Sequence, residues 1–426
     1  MDVSGLNISR IEALNFRCLR YITQDLEQFH VLLGPNASGK TTFLDVIAFL
    51  GKLMKDGLDA AIEERVESFS DLLWKREGNE FELAVEAIIP QERQQLITLK
   101  GQNFNTIRYE IKIGLDEEGA ASILSEKGML FSSHETLFPS YRYEFPAPQT
   151  PVPTLSKRPK HARTIFSKTL KGMDKYYSEV AKSAGQSGWF PSIELGPKRS
   201  TLGSLPHAEK RFPAMTWLRT LLLEGVQTIT LNSLEMRRPS PPGRGNRFLP
   251  DGSNLPWVVD ALKTKDPERF KDWIRHLQTA LPDIVDVRVV TRDEDRHKYL
   301  HIEYSNGVLV PSWTASDGTL RLLALTLLAY ANDIAGVYLI EEPENGIHPR
   351  AVETMLDSLK SVYDAQVLLA THSPVVLNQS SPESILCFAK NLEGATDIVR
   401  GDHHPRLAQW QSESSLGVLF AAGVLS

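Results

Sequence analysis

The chain has 426 residues, 42% hydrophobic and 23% charged, a length that allows about three folding units at roughly 150 residues each. Its 47 Lys and Arg against 53 Asp and Glu leave a net charge of -6, which excludes a uniformly basic nucleic-acid coat but not a local basic patch. The two cysteines, Cys18 and Cys387, lie in unrelated segments without a CxxC pair, so neither a disulfide framework nor a zinc ribbon is expected, and a reducing cytoplasm is. The opening residues carry no basic and apolar leader, and the richest apolar stretch, Leu320 to Ala331, is broken by Arg321 and Thr326; neither secretion nor a membrane span is expected.

In chain order, residues 9–16 alternate as a strand, and 29–33 (FHVLL) form a buried strand that ends at Gly34. Residues 41–53 have helical spacing through Leu44, Ile47, Ala48 and Leu50, and 80–89 and 107–114 read as antiparallel strands. From 134 to 210 Pro, Ser and Gly become frequent, around one expected helix at 162–183. Helices are expected at 213–224 and 254–280, and strands at 285–291, 299–304 and 307–310. A helix over 317–331, a strand at 336–341, a helix at 349–362 and a strand at 366–370 follow, then strands near 384–389 and 396–400 and a last short helix. The expected division is an N-terminal lobe 1–133, a mainly helical insertion 134–283 and a C-terminal lobe 284–426.

The chemistry begins where the second strand ends. Gly34-Pro35-Asn36-Ala37-Ser38-Gly39-Lys40-Thr41 matches GxxxxGK[ST] between a strand and a helix, the setting of a P-loop. Its glycines let backbone N–H groups curl around phosphate oxygens, and the helix start adds positive character. Lys40 reaches the β- and γ-phosphates in this reading, and the Thr41 hydroxyl ligates Mg2+.

Such a loop needs a carboxylate at a neighbouring strand end. Val337 to Ile340 are apolar and deliver Glu341 and Glu342 to the edge of a buried strand. Glu341 is expected to hold the magnesium shell, and Glu342 to orient and deprotonate an attacking water. The competing reading is an acidic helix start before Pro343. A further apolar strand ends in Thr371-His372, which places an imidazole within reach of a γ-phosphate; alone, it would read as a solvated loop histidine. Ser316, followed by Asp317, Gly318 and Thr319, is a good cap for an apolar helix whose open backbone suits an anion, or simply a capped helix start.

This order of motifs resembles the ABC-type ATPase superfamily, and Leu14-Asn15-Phe16-Arg17 resembles the SMC, RecF and OLD group within it. The run SDGTLRLLALTLLA, then LIEEPENGIHP and THSP, is similar to compact prokaryotic ATPases often found in phage-defence operons. The resemblance covers residues 9–130 and 285–426 and implies an α/β P-loop fold: a mixed sheet core, an antiparallel β subdomain and a large insertion. It implies that Gly34 to Thr42 bind ATP and that Arg17 touches the nucleotide. Ser316 to Thr319 would contact the γ-phosphate held by another protomer. Asn345 to His348 match the loop that crosses between protomers, and His372 the switch histidine. Asp317 replaces the first signature glycine, Glu341 replaces the commoner Asp, and no Gln-loop residue is identifiable. Two chains would then clamp two ATP molecules head to tail, giving an ATP-dependent homodimer or a higher oligomer.

The 54 residues after His372 are short for a nuclease domain, and Asp293-Glu294-Asp295 reads as a charged turn, so any effector is expected to be a separate nuclease or toxin. Segment 155–200 holds ten Lys and Arg against three acids, a balance of +7 that leaves -13 on the rest of the chain. With Arg237, Arg238, Arg244 and Arg247, and with Phe166, Tyr176 and Tyr177 interleaved, it suits DNA or RNA as well as it suits a solvated, partner-docking insertion. The expected function is an ATPase switch in anti-phage defence. The alternatives are a RecF-like repair ATPase and an ATP-gated scaffold that restrains a toxin without touching DNA.

Overall fold

The computed structural model describes residues 8–97, 104–132, 144–155, 162–180, 193–206, 210–331 and 334–406. Sixteen strands are β1 (Ile8–Phe16), β2 (Leu19–Asp25), β3 (Phe29–Leu33), β4 (Glu80–Ile88), β5 (Thr106–Leu115), β6 (Ala121–Phe131), β7 (Arg163–Thr169), β8 (Lys175–Tyr176), β9 (Val226–Ile229), β10 (Ile284–Thr291), β11 (Lys298–Tyr304), β12 (Leu309–Pro311), β13 (Gly336–Glu341), β14 (Ala365–Thr371), β15 (Ile385–Lys390) and β16 (Thr396–Arg400). The helices are α1 (Lys40–Asp56), α2 (Leu58–Glu63), α3 (Gln91–Ile97), α4 (Pro213–Thr220), α5 (Ser233–Arg237), α6 (Leu255–Lys265), α7 (Pro267–Ala280), α8 (Asp317–Leu327), α9 (Pro349–Lys360) and α10 (Pro374–Asn378).

The central sheet runs β16-β15-β3-β14-β13-β9, with β15, β3, β14, β13 and β9 parallel and only β16 reversed. Buried on both faces, its inner strands β3, β13 and β14 are almost wholly apolar, as the run FHVLL foretold. Alternate side chains feed two cores. Leu32, Val337 and Leu339 pack with α1 and the seven-stranded antiparallel sheet β2-β1-β4-β5-β6-β7-β8. Val31, Leu33, Tyr338 and Ile340 pack with α6 to α9 and the three-stranded sheet β10-β11-β12. The parallel order brings the carboxyl ends of β3, β14, β13 and β15 to one edge, where open α/β sheets bind ligands.

The expected helix at 162–183 is instead β7 and β8, which extend the antiparallel sheet beyond β6. The reason is tertiary. Gly128 on β6 leaves its face open, and the Phe166 ring fills it, 2.2 Å from where a Gly128 side chain would begin. Buried Lys168 meets Asp174 across the turn that follows. The expected helix 254–280 is two helices, because Pro267 starts a new one capped by the Asp266 side chain. The helix expected over 213–224 ends at Thr220 and becomes a π-turn, Leu221–Gly225. The helix over 317–331 ends at Leu327. The expected last helix lies outside the described residues. Among the described residues, 134–283 contribute α4 to α7 and three short strands, of which β7 and β8 join one sheet and β9 another. No helix among the described residues is long and apolar enough to cross a membrane.

Candidate nucleotide-binding site

The loop after β3 turns sharply. Ala37 and Gly39 have left-handed φ values of 62° and 107°, and Ser38 N donates to Pro35 O at 3.2 Å. Gly39 could not carry a side chain, because a Cβ there would stand 2.2 Å from Thr396 Oγ1. Thr396 itself pins the loop by donating to Ser38 O at 2.8 Å. Helix α1 starts at Lys40, and its first-turn N–H groups have no partner within the helix, so they are available to an anion. Among the described residues the Lys40 ammonium bonds the loop's own carbonyls, Gly34 O at 2.7 Å and Pro35 O at 3.1 Å. Burial pushes its pKa down to about 8, against the pull of Glu342 and Glu341.

The cleft over this loop has a volume of about 440 Å³ and is lined by Asn36 to Thr42, Arg17, Cys18, Glu341, Glu342, Ala370, His372 and Lys390. Thr41 Oγ1 donates to Glu341 Oε2 at 2.6 Å. A hydroxyl and a carboxylate so close form the kind of oxygen pair with which Mg2+ is held alongside phosphate and water, so the residues fit the ion. Among the described residues no group of three or more His, Cys, Asp or Glu could hold a metal.

Glu342 sits one residue past β13 with φ 46°, a conformation that strains a residue with a side chain. The backbone is held there by Glu342 N donating to Ala370 O at 2.8 Å. The turn aims the carboxylate between Asn345 Nδ2 at 2.6 Å and His372 Nε2 at 3.6 Å. Burial, and then Lys40, hold the His372 pKa below its ordinary value, while Glu342 and Glu344 oppose them. A carboxylate oriented by an amide and a mostly neutral imidazole is suited to accept a proton from water. Arg17, also at left-handed φ (53°), reaches the cleft with one guanidinium nitrogen 3.4 Å from Asp45, which Arg65 holds from behind at 2.7 Å.

Ser316, Asp317, Gly318 and Thr319 are not among the residues that line this cleft. Ser316 Oγ caps α8 by accepting from Thr319 N at 3.1 Å, as expected. Arg237 on α5 donates to Ala315 O at 3.0 Å and pairs with Asp317, so the aspartate is turned toward its own chain. Gly318 faces the loop after Glu342 at Gly346. Asn345 thus reaches Glu342, and its neighbour Gly346 reaches the start of α8.

The sequence carries no signal for Lys390 or Thr396, which lie far along the chain from the motifs they adjoin, and it marks Arg237 only as one of the cations suited to nucleic acid, whereas its partners here are Ala315 O and Asp317. The sequence marks Thr371 only as a strand end; its hydroxyl also donates to Glu344 Oε1 and so braces the loop after Glu342. In the basic segment, Lys157, Arg158, Lys160 and Lys182 lie outside the described residues. Arg163 donates to Glu179 O and Ser178 O, Lys168 is buried on Asp174, Lys171 pairs with Glu117 and Lys198 with Asp59. Phe166 and Tyr176 are 0% exposed and belong to the core, so they cannot stack on bases, whereas Tyr177 is exposed. Asp293 to Asp295 form the turn between β10 and β11, as expected.

Among solved structures, the SmcHead bound to the C-winged helix domain of ScpA matches at a TM-score of 0.53 and 12% identity, over 92% of this chain and 97% of its own. The Smc head domain with an extended coiled coil bound to the C-terminal domain of ScpA, from Pyrococcus furiosus, matches at a TM-score of 0.49 and 12% identity, over 98% of both chains. The first likeness shows the fold, that of an SmcHead. The chain belongs to the family described as "AAA domain, putative AbiEii toxin, Type IV TA system" (AAA_21), whose model matches residues 29–378.

Proposed function

We propose that this chain binds ATP with Mg2+ and hydrolyses it as a head-to-tail dimer, each protomer completing the other's site. The observation that carries the reading is a division of parts. Lys40, Thr41, Glu341, Glu342 and His372 share one cleft, while Ser316 to Thr319, a capped helix start with anion-binding chemistry, lie outside it. ATP supplies the triphosphate and the metal offsets its charge. Lys40 and the α1 N–H groups hold the phosphates, Thr41 and Glu341 hold the metal, and Glu342 takes the proton of the attacking water. Binding between two faces makes the nucleotide an interfacial ligand, and hydrolysis releases the pair.

In this reading the switch serves a toxin–antitoxin or phage-defence system, in the cytoplasm, by engaging a separate effector protein. The family's printed description supports the toxin–antitoxin setting, and the ScpA domain on the Smc head supports a protein partner. A RecF-like repair role on DNA is the weaker reading, because four of the described cations of the basic segment are engaged within the chain.

The experiment uses Glu342→Gln. Hydrolysis falls by about 10²- to 10⁴-fold, the range of a lost general base, while ATP binding persists. Sedimentation then shows a dimer with ATP and a monomer with ADP. A variant that stays monomeric at saturating ATP would remove the sandwich. Wild-type protein that neither binds nor turns over ATP would remove the whole reading.

A further inference from the structure

We infer that Lys390 is a second ammonium for the polyphosphate of the bound nucleotide, acting beside Lys40. The inference rests on the reading that the cleft takes a nucleotide, and it adds to that reading a residue outside every motif in the sequence.

Topology places it. Strand β15 runs parallel to β3 in the register Ile385↔Val31, Leu386↔Leu32 and Cys387↔Leu33. The next residues therefore travel alongside the phosphate loop. Phe388 O lies 2.4 Å from the point where a Gly34 side chain would begin. Ile385 to Ala389 are buried, and Lys390 is the exposed residue with which the strand ends. It lines the same cleft as Asn36 to Thr42.

Nothing else in the described structure claims its charge. No ion pair joins Lys390 to a carboxylate among the described residues; of the acids in its hairpin, Glu393 pairs with Arg20 and Asp397 accepts from Ala147 N. Arg17, the other cation at the rim, already faces Asp45. The hairpin is also tied by hydrogen bonds to the loop and to the turn after β1. Thr396 N donates to Cys18 O at 3.0 Å, and Thr396 Oγ1 donates to Ser38 O at 2.8 Å.

The charge balance gives the lysine its task. Glu341 and Glu342 already place two carboxylates in the cleft, and a triphosphate adds several more negative charges. The Lys40 ammonium, held by the carbonyls of its own loop, is a single counter-charge. In the sheet order β15-β3-β14-β13, Lys390 flanks the loop on the side away from His372 and Glu342. Its contribution therefore falls on binding and not on proton transfer.

The test is calorimetric titration of the full-length chain with MgATP and MgADP, for wild type and for Lys390→Gln, Lys390→Glu and Lys390→Arg, with Lys40→Ala as the control on the cleft itself. Lys390→Gln weakens binding by about tenfold, the scale of one partly screened charge-assisted contact. Lys390→Glu weakens it further, Lys390→Arg restores it to within a few-fold, and the change appears in KM more than in kcat. If wild type binds MgATP, Lys40→Ala does not, and Lys390→Glu binds like wild type, Lys390 is a surface lysine and the inference is wrong. If wild type itself binds no nucleotide, the functional reading and this inference fall together. Because Lys390 is exposed, unchanged circular dichroism of the Gln and Arg forms confirms that affinity, and not folding, was altered.

Discussion

Gly346 O stands 2.4 Å from the position that a Cβ on Gly318 would occupy, so the loop after Glu342 and the start of α8 meet backbone to backbone. Any side chain at Gly318 forces one of them to move. Gly318→Ala is expected to lower steady-state ATPase activity at least tenfold and to cost about 1–3 kcal/mol of stability, as overpacking at a close contact does. Binding of MgATP to the monomer is expected to be unchanged, since Gly318 does not line the cleft. Comparing calorimetry with turnover separates the two; a variant with normal turnover would show that the contact is incidental.

Thr41 and Glu341 make a metal prediction. In wild type, removal of Mg2+ with EDTA is expected to weaken ATP binding by about 10- to 100-fold, since outer and inner contacts to a bound ion are worth that much. Thr41→Ala and Glu341→Gln are expected to bind ATP at about the wild-type-plus-EDTA level and to gain little from added Mg2+. Equal magnesium enhancement in wild type and both variants would show that the 2.6 Å pair does not serve the ion.

Arg237 gives the start of α8 its fixed position through Ala315 O and Asp317. Arg237→Ala is expected to reduce ATP-driven dimerisation and turnover roughly tenfold, consistent with a lost charge-assisted bond, while leaving nucleotide affinity of the monomer intact. A double-mutant cycle with Asp317→Asn is expected to be non-additive, because the two side chains share one contact. Strict additivity, measured as turnover, would place Arg237 elsewhere in the mechanism.

Glu342 occupies a backbone conformation that glycine accepts without strain. Glu342→Gly is therefore expected to be as stable as wild type or about 1 kcal/mol more stable, and inactive. Thermal unfolding and phosphate release on the same sample check both halves. A clear loss of stability would mean that the carboxylate, through Asn345 and His372, does more for the fold than its backbone costs.

His30 predicts the acid limb of stability. Its Nε2 accepts from Glu27 N at 2.8 Å, so the buried ring is neutral and its Nδ1–H faces Ser384 O at 3.2 Å. Burial holds its pKa down at about 4, from an ordinary 6.5. The unfolded chain thus binds the proton first as pH falls. This contribution is complete above pH 6.5 and is lost through the interval down to about 4, amounting to roughly 3 kcal/mol. Urea unfolding across that interval is expected to show a steeper loss in wild type than in His30→Gln. Parallel curves would assign the acid limb to other groups.

A P-loop motif is legible in a sequence because it is local. A loop that wraps an anion needs its glycines, Lys40 and Thr41 at fixed spacing, and the buried strand before Glu341 and Glu342 is legible because it must be apolar on both faces. The segment at 162–183 was misread for the opposite reason. Its apolar spacing suits a helix nearly as well as a strand, and only the bare face of Gly128, distant in the chain, selects the strand. Lys390 and Thr396 were invisible because a lysine ending a strand and a threonine starting one are ordinary anywhere. Their meaning comes from β15 lying beside β3, a pairing between segments more than 350 residues apart.

The sequence alone therefore determined the GxxxxGK[ST] loop between a strand and a helix, the acidic strand end and the order of the motifs, since each depends on neighbours in the chain and on the fixed geometry of strand and helix. The tertiary structure decided which residues share the cleft, that Ser316 to Thr319 stay out of it, and which cations remain free of carboxylates. Those outcomes are set by strand order and by the competition of charges for partners, and neither is written in any one stretch of residues.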